Sequence, residues 1–101
     1  MLKDVTKKEL LENLGKGLQL VVFYADWCGP CRMFKGSLEE LSEKDGVSIF
    51  RVNIDNEREL AIEHNVSSIP YMVVYFDGKP VKTSLGYKPY EALKEELAAY
   101  L

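Results

Sequence analysis

Cysteine is scarce in this chain, with two among 101 residues, and histidine occurs once, as His64. Zinc normally takes four protein ligands, and Cys28, Cys31 and His64 come without a second ligand motif, so no metal is expected. Two cysteines permit one disulfide, and at this spacing it closes a loop too short to restrict the unfolded chain much, which excludes a disulfide-stapled fold. Positive charge is in deficit: 13 Lys and Arg against 16 Asp and Glu leave a formal charge of −3, and no basic stripe occurs. That argues against a nucleic-acid surface. Long apolar runs are also missing. No segment approaches the roughly 20 apolar residues that span a bilayer, and Met1 to Lys8 holds no apolar signal core. A cytoplasmic chain with neither nucleic acid nor membrane as partner is therefore expected. Repeats, linkers and low-complexity segments are absent, and nothing signals an oligomer. Residues 1–101, 47% hydrophobic, are expected to fold as one monomeric domain able to bury a real core.

What is present is concentrated at Trp27-Cys28-Gly29-Pro30-Cys31. The run before it, Leu18 to Tyr24, is apolar and rich in β-formers. The run after it, Arg32 to Lys44, carries Phe34, Leu38 and Leu41 at helical spacing. Cys28 is thus expected at the mouth of a helix, where unpaired backbone N–H groups and the positive end of the helix dipole favour a thiolate. That makes Cys28 the candidate nucleophile. Cys31, one turn further in, is placed to attack back. In a reducing cytosol a pair at this spacing reads as catalytic or metal-binding before it reads as structural.

Strand and helix signals alternate along the chain. Leu2 to Val5 reads as a short edge strand, and Thr6-Lys7-Lys8-Glu9 is a capping box opening a helix through Leu10, Leu11 and Leu14, stopped by Gly15 and Gly17. After the cysteine helix, Asp45-Gly46 turns into a strand from Val47 to Asn53. Asn56 to Glu59 can cap a short helix bearing Leu60 and Ala61, with Asn65 as its left-handed stop. Pro70 opens Tyr71 to Phe76, a buried strand; Asp77-Gly78 forms a hairpin into Val81 to Leu85. A last helix starts near Pro89 and lines up Leu93, Leu97 and Leu101. The order β-α-β-α-β-α-β-β-α implies an α/β fold, a central mixed sheet flanked by helices on both faces. The acidic groups at Glu39, Glu40 and Glu43, and at Glu91, Glu95 and Glu96, read as solvated helix faces.

Three motifs in order, Trp27-Cys28-Gly29-Pro30-Cys31, Ser68-Ile69-Pro70 and Gly86 after the hairpin, make the chain resemble the thioredoxin family over nearly its full length. The resemblance implies the thioredoxin fold and a cis Ile69–Pro70 peptide bond that brings its loop beside the cysteines. It implies protein-disulfide reductase activity: Cys28 attacks a partner disulfide, and Cys31 resolves the mixed disulfide. Trp27, Gly29 and Pro30 form the active loop; Ile69, Pro70 and Gly86 bind an extended substrate segment by strand-like pairing. The implied partners are disulfide-containing proteins and a thioredoxin reductase as electron donor. No cofactor is implied beyond the redox-active Cys28–Cys31 disulfide.

Three positions depart from the family pattern. Val22, six positions before Cys28, stands where the family has a buried Asp that helps deprotonate the second cysteine, and Arg51 replaces the accompanying lysine. A slower resolving step is expected. Gly36 replaces a helix-kinking proline, and Tyr71 a threonine after Pro70, where its ring is expected to reshape packing near the substrate groove. Asp26 reads as an exposed loop carboxylate, His64 as a helix-end residue, and Tyr87 and Tyr90 as anchors of the last helix. The rival reading is a thioredoxin-fold binding subunit with a secondary or vestigial redox role. A dithiol oxidase or isomerase is a third, disfavoured by the absent signal sequence.

Overall fold

The alternating signals resolve, in a computed structural model describing residues 1–101, into a five-stranded sheet with helices on both faces. In chain order the elements are β1 (Leu2–Asp4), α1 (Lys7–Asn13), β2 (Leu18–Tyr24), α2 (Gly29–Asp45) and β3 (Ser48–Asn53). They continue with α3 (Arg58–Glu63), β4 (Tyr71–Phe76), β5 (Lys79–Leu85), α4 (Tyr90–Glu96) and a closing 3₁₀ turn, Ala98–Tyr100. The strands lie in the order β1-β3-β2-β4-β5. β1, β3 and β2 are parallel, whereas β4 runs antiparallel to both β2 and β5.

β2 is the centre of the sheet, and its sequence shows why: a strand covered on both faces cannot alternate apolar with polar. Leu20 and Val22 face one layer with Ile49, Met72 and Val74, beneath Phe34, Leu38 and Leu41 of α2 and Leu93 and Leu97 at the C-terminal end. Val21 and Phe23 face the other with Phe50, Val52, Val73 and Tyr75, beneath Leu10 of α1 and Leu60 and Ala61 of α3. Each of these large side chains contributes about 1.5–3 kcal/mol by leaving water.

Local signals set the boundaries. Thr6 Oγ1 accepts the Glu9 N–H while the Glu9 carboxylate accepts the Thr6 N–H, completing the capping box. α1 stops at Asn13, ahead of both glycines, because Leu14 already has extended dihedrals. Gly46 caps α2 in the left-handed region (φ 67°). Asp77 and Gly78, both at positive φ, make the hairpin turn, and β5 starts at Lys79, earlier than the expected Val81. Pro80 is tolerated there because β5 is an edge strand.

Some expectations need correction. Asn56 does not cap α3; Glu57 occupies that position without a side-chain hydrogen bond, and the nearby side-chain bond runs from the Asp55 N–H to Asn53 Oδ1. Leu101 lies past the end of α4 and is 51% exposed, since the last turn tightens to 3₁₀ and rotates it off the Leu93–Leu97 line. Glu96 belongs to no solvated face: its carboxylate pairs with Lys88 Nζ at 2.7 Å and Lys82 Nζ at 3.5 Å, tying α4 to β5 and the loop after it. Asn65 does take the left-handed conformation (φ 55°). Tyr90 anchors α4 by donating its hydroxyl to Asp45 at 2.8 Å, and Tyr87 sets its ring edge-on against Phe34.

α2 runs unbroken through Gly36, which is exposed and has no neighbour within 4 Å of where a Cβ would sit. Gly36→Ala should therefore raise unfolding stability by about 0.5–1 kcal/mol in urea titration, by reducing backbone freedom in the unfolded chain. No gain would reveal a packing demand on the glycine.

Burial draws the Glu96 carboxyl upward, but Lys88, Ser84 and Lys82 hold it below its ordinary value of 4.5. A depressed carboxyl stabilises the fold above its unfolded pKa and loses that contribution as pH falls through the folded one. The difference in melting temperature between this protein and Glu96→Gln should thus be largest near neutrality and shrink below 4.5. A constant difference down to about pH 3 would assign Glu96 to packing alone.

Candidate active site

The cysteines sit where the central strand runs out and the longest helix begins. β2 ends at Tyr24, Ala25 to Trp27 form the connecting loop, and Cys28 is the N-cap of α2 in extended conformation. Cys28 Sγ accepts the Cys31 backbone N–H at 3.2 Å, so a sulfur performs the task usually given to a Ser or Asp oxygen at this position. The Cys28 N–H donates to Ala25 O, and Arg32 Nη1 donates to Asp26 O at 2.8 Å, which fixes the loop against the first helical turn. Gly29 and Pro30 fill the first two helical positions, where a missing N–H costs no helical bond.

Cys28 and Cys31 are joined as a disulfide, with Cα atoms 5.2 Å apart, and are only 6% and 5% exposed. The thiol chemistry is thus sheltered but at the surface layer, packed with Tyr24, Ala25, Ile54 and Ile69. The Ile69–Pro70 bond is cis, as the resemblance implied, and the Ile69 carbonyl oxygen lies 3.9 Å from Cys28 Sγ. Gly86 joins the same corner, its N–H donating to Pro70 O at 2.9 Å from a backbone at φ 87°. Trp27 is 67% exposed and donates its indole N–H to Asp55 at 2.9 Å. All eight residues singled out from the sequence therefore stand in one region.

The departures have physical outcomes. Val22 is buried in the α2-side layer, so no carboxylate stands on the strand behind the cysteines. Arg51, its neighbour in register on β3, lies on the same face and stacks its guanidinium 3.8 Å from the Tyr24 ring centre. The Tyr71 ring turns toward the opposite layer, 6.1 Å from Phe23, so it shapes the core below the groove. His64 caps α3, with Nδ1–H donating to Leu60 O and Nε2 facing the Tyr75 hydroxyl at 3.3 Å; its ring nitrogens are committed to structure. Asp26 is exposed, and it borders a cleft of about 410 Å³ that reaches Cys31.

Asp55 was not among the sequence candidates. Its signal lay in the topology: once β2 and β3 are parallel with Tyr24 opposite Asn53, the segments leaving both strands emerge side by side. Local pattern alone carries no such information.

Comparison with known proteins places this arrangement. Residues 2–99 match the Thioredoxin family model. The thioredoxin of Bacillus subtilis is 39% identical over 98 residues, covering 95% of this chain and 94% of the relative. That of Staphylococcus haemolyticus is 40% identical over 99 residues, covering 96% and 95%. Among solved structures, a mutant thioredoxin from Halobacterium salinarum superposes with a TM-score of 0.89 at 31% identity, covering 98% of this chain and 88% of that one. A Malassezia sympodialis thioredoxin, 22% identical with a TM-score of 0.84 over 98% of this chain and 92% of its own, shares the fold.

Gly86 is held at a φ that L side chains rarely adopt, in open space. Gly86→Ala should lower stability by about 1 kcal/mol through backbone strain alone, measured by chemical denaturation. An unchanged midpoint would mean that the loop relaxes freely.

Proposed function

This chain belongs to the thioredoxin family, and we propose that Cys28 is its attacking thiol and Cys31 its resolving thiol. The chain is a protein-disulfide oxidoreductase working by dithiol–disulfide exchange, with the cysteine pair itself as redox group. A binding-subunit role is not favoured.

The observation that carries the assignment of roles is the cap bond from the Cys31 N–H to Cys28 Sγ. A hydrogen bond from a fixed amide, together with the positive end of a 17-residue helix, stabilises charge on that sulfur when the pair is reduced. Cys28 thiolate attacks one sulfur of a partner disulfide; a Cys28–partner S–S bond forms, and the partner's other sulfur leaves as thiolate. Cys31, as thiolate, then attacks Cys28 Sγ. The Cys28–Cys31 bond forms, the mixed disulfide breaks, and the partner departs with two electrons gained while this chain has lost two.

Ile69, Pro70 and Gly86 form the ledge that receives the partner, with Trp27, Gly29 and Pro30 as the surface around the sulfur. Backbone pairing of an extended segment there gives affinity with little demand on sequence, which suits a general reductant of disulfide-bearing proteins. A thioredoxin reductase restores the dithiol. Residues 1–101 act as one monomeric domain in the cytoplasm; no helix is long and apolar enough to cross a membrane.

NADPH-coupled reduction of a disulfide-bonded test protein, with thioredoxin reductase present, tests the assignment. Cys28→Ser should abolish turnover, and Cys31→Ser should accumulate a covalent mixed disulfide visible on non-reducing electrophoresis. A mixed disulfide trapped by Cys28→Ser and not by Cys31→Ser would reverse the roles, and turnover surviving in Cys28→Ser would overturn the assignment. Reduction driven by dithiothreitol but not by the reductase would replace the electron donor and keep the chemistry.

A further inference from the structure

We propose that Lys88 is a positioning residue for substrate binding: clasped between Ser84 and Glu96, it holds the loop that presents Gly86 to an extended partner segment. The proposal rests on the reading of Ile69, Pro70 and Gly86 as the ledge that receives the partner.

That loop needs a restraint from outside the sheet. The β4–β5 ladder ends with Leu85 opposite Tyr71, and beyond it one backbone bond, from the Gly86 N–H to Pro70 O at 2.9 Å, ties the chain back before α4 begins at Tyr90. Gly86 itself sits at φ 87° with open space where a side chain would stand, so no packing around its α-carbon fixes it. Glycine is also the residue whose backbone is freest to move.

The clasp supplies the restraint. Ser84 and Lys88 lie two places on either side of Gly86, and the Lys88 ammonium donates to Ser84 Oγ, closing the loop across its base. The same ammonium donates to Glu96 Oε1 at 2.7 Å, which moors the closed loop to the last turn of α4. The Lys88 and Glu96 side chains are 28% and 15% exposed, so their pair is sheltered from the screening that weakens surface ion pairs. Burial opposes charge on Glu96, but Lys88, Ser84 and Lys82 hold its carboxyl below 4.5, and the clasp is ionised at neutral pH. Lys82 Nζ stands 3.5 Å from Glu96 Oε2 as a second cation, so replacing Lys88 frees the loop without stranding the carboxylate.

A loop already fixed in the shape that pairs with a partner binds without the cost of ordering it. Binding lost in this way is lost equally from bound substrate and transition state, so it appears in KM and not in kcat. A small disulfide, too short to pair with the ledge, is indifferent to the clasp.

Lys88→Met keeps an unbranched apolar stem and removes the ammonium. Amide hydrogen exchange at Gly86 should become about fivefold faster, and KM for insulin, measured with NADPH and excess thioredoxin reductase, should rise about fivefold at unchanged kcat. The rate with dipyridyl disulfide should not change. Lys88→Arg, which still offers donors to both oxygens, should restore slow exchange and the original KM. Unchanged exchange at Gly86 in Lys88→Met would overturn the clasp and leave the ledge reading standing. Faster exchange with an unmoved KM would overturn the ledge reading, and the role of Lys88 in binding with it. Equal losses toward insulin and dipyridyl disulfide would also overturn the proposal, by showing a general disturbance of the site.

Discussion

The bond on which this structure turns is the one from the Cys31 amide to Cys28 Sγ. It caps the helix with one sulfur of the redox pair, the sulfur proposed as the attacking one. The first turn of α2 has N–H groups with no intrahelical acceptor, and the sulfur accepts one of them, so the helix gains a cap by holding the reactive atom in place. Everything else in the fold arranges for this cap to occur at a fixed point. β2, locked between β3 and β4 and buried on both faces, sets where the loop begins; Phe34, Leu38 and Leu41 set how α2 lies over the sheet.

Much of this was legible in the sequence because it depends on near neighbours. The capping box at Thr6 and Glu9, the apolar run from Leu18 to Tyr24, the Asp77-Gly78 turn and the cysteine helix are all written in spacing and residue type. Ile69, Pro70 and Gly86 were legible by a different route, through resemblance, because no local pattern links them to Cys28. What could not be read were contacts made by chain segments far apart: Trp27 with Asp55, Glu96 with Lys88 and Lys82, Arg51 with Tyr24. Those pairings require the strand register first. Leu101 shows the complementary error, where helical spacing was extended past a turn that had already tightened.

Val22 and Arg51, the two strand departures from the family pattern, stand side by side in register. A buried carboxylate needs a partner to offset its desolvation, and its replacement by valine removes that demand while thickening the apolar layer under α2. The cation beside it then finds other company, the face of Tyr24 and a partly solvated Asp4, whose carboxylate is itself 55% exposed. Arginine suits that arrangement better than lysine, since its planar, weakly hydrated guanidinium can stack on a ring and remain charged.

The sheet has two edges of different kinds. β1 is three residues long, and β5 carries Pro80 among Lys79 and Lys82. An open sheet edge presents unpaired backbone groups on which another chain can be templated. The proline withholds one amide from any incoming strand, and the lysines repel a second copy of the same edge. With β1 kept to three residues, neither flank of the sheet offers a long open edge on which aggregates could be seeded.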